Sequence, residues 1–142
     1  MSKKYLKFKT GEHTADLKLK IYGGNFGQLL KNAACGVFHL LELDKLNPGA
    51  KTIKIRLSAE DQESLLVLWI NELLYTVNSD RFFPSKLKSL RYCKNNSLTA
   101  EVSGYRKKSG VKIPFEIKSA TYHELKIKKC RRGVTAEIIL DI

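Results

Sequence analysis

The segment Leu17-Lys18-Leu19-Lys20-Ile21 alternates apolar and charged residues, the period-two pattern of a strand with one face buried and one in water. Residues 3–9 read the same way, so the sequence predicts strands at 3–9 and 17–22. The segment Glu12-His13-Thr14-Ala15-Asp16 then lies in the connection, or at the start of the second strand. Gly23-Gly24-Asn25 marks a turn and a helix start. Beyond it the period changes. Phe26, Leu29, Leu30, Ala33, Ala34, Val37, Phe38 and Leu41 recur at intervals of three and four, an amphipathic helix with one packed face. Asn47-Pro48-Gly49 breaks the pattern, and Lys51–Leu57 returns to alternation.

Ser58, with Asp61 three residues on, reads as the N-terminal cap of a second helix, and Glu60 and Glu63 suit its positive end. Leu65, Leu66, Trp69, Ile70, Leu73, Leu74 and Val77 form the apolar stripe of that helix. After Pro84 the alternation predicts strands near 86–93, 97–103, 111–118, 123–129 and 134–141. Two helices and about seven or eight strands indicate an α+β fold. The simplest arrangement is a two-layer sandwich, a mostly antiparallel or mixed β-sheet with both amphipathic helices on one face. A chain of 142 residues without repeats or low-complexity linkers is expected to form a single domain, 1–142.

Composition excludes several classes. A hydrophobic share of 43% is enough for a packed core, which argues against disorder. No stretch approaches the roughly 20 apolar residues of a membrane span. The lysines of MSKKYLKFKTG have no apolar run behind them, so no secretory signal is read and a cytoplasmic location is expected. Cys35, Cys93 and Cys130 are odd in number and form no CxxC pair, which argues for reduced thiols rather than a disulfide or zinc framework.

The net charge of +12 is the unusual total, and it favours polyanionic partners, RNA first. Many lysines alternate with apolar residues and read equally as the wet face of a sheet. The densest cations, Arg106, Lys107 and Lys108, fall in a glycine-bounded loop, and Arg131 and Arg132 precede Gly133. These two loops are the candidates for direct RNA contact.

The chain has no P-loop, GxSxG elbow or HExxH motif. The turn at Gly23 lacks a dinucleotide fingerprint. His39 stands near the end of the first helix, where a structural role suffices, and no nucleophile accompanies a His13 and His123 pair. The carboxylates offer more. A hard cation takes several oxygen ligands, and Asp16, Asp141 and the terminal Ile142 would converge if the two terminal strands were neighbours. By spacing alone, separate surface carboxylates remain the competing interpretation.

Four motifs carry a resemblance. GEHTADLKLKIYG with NFGQLLKNAACGVFHLL, the helix EDQESLLVLWINELLYTVNSDRFFPSK, the stretch Ile117–Leu125 and the ending Ile138-Ile139-Leu140-Asp141-Ile142 resemble, in order, the segments of the archease family. The likeness covers nearly the whole chain. It implies a small two-layer domain that is not an enzyme but an accessory factor. Its implied partner is an RtcB-type RNA ligase, which uses GTP and a divalent metal to seal RNA ends in tRNA splicing and RNA repair. The factor is implied to promote ligase guanylylation and multiple turnover. The resemblance also implies a divalent-metal site, calcium first and magnesium or manganese as alternatives. That site falls on Asp16, Asp141 and Ile142, with His13 beside it, and Lys118 is implied to contact the ligase or a phosphate. Ser119, the Gly133-Val134-Thr135 approach to the last strand and the basic charge depart from the family pattern. The alternative is a basic RNA-binding or RNA-chaperone module that works without a ligase.

Overall fold

The computed structural model describes residues 16–47, 49–79, 82–106 and 112–142, and the main chain of 7–10. Along the chain come β1 (Lys7–Thr10), β2 (Asp16–Gly23), α1 (Phe26–Leu40), a 3-10 turn (Leu43–Lys45) and β3 (Lys51–Ser58). They are followed by α2 (Gln62–Asn78), β4 (Phe82–Cys93), β5 (Ser97–Arg106), β6 (Ser119–Cys130) and β7 (Gly133–Asp141). The fold is α+β, as the periodicities predict.

The strands divide between two sheets rather than forming one. β1-β2-β7-β6 make one sheet and β3-β5-β4 the other, and every described pairing is antiparallel. Hairpins account for β4–β5 and β6–β7, while β2–β7 closes the first sheet across nearly the whole chain. Periodicity specifies which face of a strand is buried but not its neighbour, so the division was not legible in it.

Both helices cover the inner side of the four-stranded sheet, α1 against β2 and β7 and α2 against β6, and both also meet β4 of the second sheet. One continuous apolar core results. It includes Leu19 and Ile138 from the first sheet, Leu29 and Leu73 from the helices, and Ala100 and Val102 from the second sheet. Trp69 is fully buried at its centre, and its Nε1–H donates to the Leu30 carbonyl at 2.8 Å, joining the two helices. A buried indole needs such a partner. Among the described residues no helix is long and apolar enough to cross a membrane.

Three local expectations are corrected. Asp61, not Ser58, caps α2: its backbone is extended and its side chain accepts from the Ser64 N–H at 2.8 Å. Ser58 is still paired with Ser97 in the β3–β5 ladder, so it cannot also start a helix. Residues 112–118 are not a strand. Pro114 supplies no N–H to a ladder, and the chain bends at 114–115. Conversely, β4 begins before Pro84. It is an edge strand, and its register shifts between Pro84 and Lys86, the setting in which a sheet tolerates proline.

Candidate functional site

The antiparallel register of β2 and β7 sets Asp16 opposite Asp141, two residues 125 apart in the chain. Ser119 of β6 takes the next place across, completing a row Asp16–Asp141–Ser119 at one end of the sheet. Their chain neighbours Leu17, Leu140 and Ala120 are buried, so the row itself faces outward. Asp16 is half-buried, Asp141 exposed and Ile142 half-buried. Directly opposed residues on one face have Cβ atoms about 4.5–5.5 Å apart, and like charges there repel.

The lysines further along β2 are engaged elsewhere. Lys18 and Lys20 instead approach Glu137, at 3.6 and 3.9 Å. Among the described residues no ion pair reaches Asp16 or Asp141.

Residues the sequence reading passed over hold this end of the sheet in place. Asn71 of α2 bonds both main-chain groups of Ala120. Its Oδ1 accepts from the Ala120 N–H at 2.7 Å and its Nδ2 donates to the Ala120 carbonyl at 3.2 Å. One helical heptad later, Asn78 donates to the Ile117 carbonyl at 2.9 Å. Between these anchors the Lys118 N–H donates to the Asp141 carbonyl at 2.7 Å. The sequence singles out neither asparagine, because Glu72 and Thr76 also punctuate the helix and only the packing shows which polar side chains need partners.

The remaining candidates scatter. The Lys118 side chain is exposed beside the carboxylate row. His13, Lys107 and Lys108 lie outside the described residues. Arg106 is exposed at the end of β5, in the other sheet. Arg131 and Arg132 are exposed in the turn joining β6 to β7. That turn is at the opposite end of β7 from Asp141, about 27 Å away at the usual rise per residue. His123 is exposed near Glu124 at 3.6 Å, and His39 meets Asp44 at 3.0 Å, the structural role expected of it. Gly23 still belongs to β2, the chain bends at Gly24-Asn25, and Asn25 caps α1 by accepting from the Gln28 N–H at 2.8 Å. The three cysteines are exposed and form no disulfide.

The donor chemistry fits a hard cation: paired carboxylates on the wet side of a sheet, with main-chain oxygens of Ile142 following directly. Among the described residues no group of three or more His, Cys, Asp or Glu side chains gathers at one point. Among the described residues, further donors would be main-chain oxygens or water, which calcium accepts more readily than zinc.

The fold and this row define a small two-sheet α+β domain with a carboxylate pair where β2 meets the last strand, β7. The Archease protein family model matches residues 8–142. The chain belongs to the archease family. It is 36% identical over 138 residues to Protein archease of Methanosarcina barkeri, covering 92% of each chain. The solution structure of Methanobacterium thermoautotrophicum protein 1598 superposes with a TM-score of 0.81 at 28% identity, covering 98% of this chain and 99% of that one. The crystal structure of a Thermotoga maritima protein, described as an archease and possible chaperone, gives a TM-score of 0.64 at 26% identity, over 94% and 96% of the two chains.

Proposed function

We propose that this protein is a metal-binding accessory factor, not itself an enzyme, that activates an RtcB-type RNA ligase. The observation that carries the reading is the β2–β7 register, which pairs Asp16 with Asp141 beside Ile142. Family membership supports it, and the chaperone-like description of the Thermotoga relative agrees with action on a protein partner. A divalent cation, calcium before magnesium or manganese, would be held by Asp16, Asp141 and main-chain oxygens of Ile142, with His13 as a further candidate ligand. Bound there, it would offset the repulsion of the paired carboxylates.

The protein's own residues would do the rest. The Asn71 and Asn78 anchors hold the segment 117–120, and with it the Lys118 backbone, against β7. That rigid end of the sheet is the surface offered to the ligase, with the exposed Lys118 ammonium available to a phosphate or an acidic side chain. GTP is consumed by the ligase in this scheme.

The test is RNA ligation with catalytic amounts of ligase, GTP and metal, with and without this protein. Wild type should convert a single round into multiple turnovers. Asp16→Ala and Asp141→Ala should retain the wild-type circular dichroism spectrum and lose the stimulation. Full multiple-turnover ligation with either variant would overturn the assignment.

A further inference from the structure

The outward face of the three-stranded sheet takes no part in the carboxylate site and carries most of its charge in one sign. Two rows cross it, Lys54–Glu101–Ser89 and Arg56–Thr99–Arg91. Lys86 is exposed one row further on, and Lys88 is exposed in the adjoining bulge. Five cations thus share the face with one carboxylate, and among the described residues none of the five forms an ion pair. The four-stranded sheet differs, because Glu137 engages both Lys18 and Lys20 there. Both helices pack on the inner side of the core and leave this face in water.

We infer that this face is a docking surface for the phosphodiester backbone of double-helical RNA. The side chains decide between polyanions. A protein partner needs an apolar, usually aromatic centre to its interface, and the two rows present only cations, hydroxyls and Glu101, with the Cys93 thiol on their flank. Phosphate docking needs what is present: guanidinium groups, ammonium groups and hydroxyl donors on a stiff support. Arg56 and Arg91 stand two strand spacings apart, about 10 Å, with the Thr99 hydroxyl between them. Arginine pairs bidentately with phosphate oxygens, and the deep, narrow major groove of an A-form helix keeps its base edges from side chains, so this row grips backbone. The choice of RNA as occupant rests on the proposed role beside an RNA ligase. The docking itself does not, since it needs neither the ligase nor the metal.

The test is anisotropy of a fluorescein-labelled RNA hairpin titrated with the full-length protein in chelator, without ligase, over a salt series. Wild type should bind with a steep dependence of affinity on salt. The variant K54A/R56A/R91A should bind more weakly, with a log–log salt slope reduced by about three, one per phosphate contact removed. The variant K18A/K20A/K126A makes the same change in net charge on the other sheet and should leave the slope within about one of wild type. Equal losses from the two variants would show a net-charge effect without a site and overturn the inference. So would unchanged binding by K54A/R56A/R91A, or absence of RNA binding at physiological salt. Binding of phosphatidylserine vesicles with the hairpin left free would assign the face to a membrane instead. If RNA docking fails while Asp16→Ala still abolishes ligase stimulation, the activator reading stands and only this inference falls.

Discussion

Asp16 and Asp141 are ordinary surface residues until the register puts them opposite each other. Two like charges in that position destabilise a strand pair, so their removal and their neutralisation should act in the same direction. Without metal, Asp16→Asn and Asp141→Asn should melt no lower than wild type. With calcium added, wild type alone should gain stability, about 2.7 kcal/mol at a hundredfold excess over Kd, and so show a higher Tm. Differential scanning calorimetry with and without chelator reads both outcomes, and an equal calcium shift in Asp141→Asn would place the cation elsewhere. Asp61 is a residue-scale case of a different kind. The hydrogen bond from the Ser64 N–H, then that from the Ser64 side chain, holds its carboxyl below the ordinary value near 3.8. A depressed folded-state pKa contributes stability above the unfolded value that is lost as pH falls through the folded one. Urea midpoints should therefore fall between pH 5 and pH 3 by more in wild type than in Asp61→Asn, which keeps a capping oxygen without the charge.

At the scale of elements, helix α2 both fills the core and anchors the start of β6. Its apolar stripe was legible from spacing, because a helix repeats its buried face every three or four residues whatever it packs against. Its two asparagines were not, because their partners at Ala120 and Ile117 are distant in sequence. Asn71→Ala removes two hydrogen bonds and leaves main-chain groups of Ala120 unpaired, which costs about 1–3 kcal/mol. Hydrogen exchange at the Lys118 amide should quicken more than exchange in the β4–β5 hairpin; equal change in both would mean a merely global loss. The segment 112–118 shows the opposite failure. Its alternation looked like a strand, and Pro114 outweighed it.

At the scale of the molecule, two sheets and two helices share one core, so no part should unfold alone. Trp69 fluorescence and far-UV circular dichroism should give coincident unfolding curves. Leu19→Ala in the first sheet and Leu73→Ala in α2 should each shift that single transition, by about 2–5 kcal/mol for a filled core site. Two separate transitions would mean that the sheets are independent units. The basic surplus belongs to this scale as well. Spread along the sequence it looked like solvated strand faces, and on the four-stranded sheet Glu137 does offset part of it.

Local periodicity determined the helices, most strands and the faces they bury, because those depend on neighbours within a few residues. Sequence motifs also pointed to the archease family and, through it, to Asp16, Asp141 and Ile142. Only the tertiary structure decided that the strands form two sheets and that β2 lies beside β7 in a register opposing the two aspartates. It alone showed α2 reaching across to hold Ile117 and Ala120, and the cations of β3 and β4 gathered on one face. Each of these is a pairing between distant segments. Such pairings are set by which buried faces fill a shared core, and no short window of sequence contains both partners.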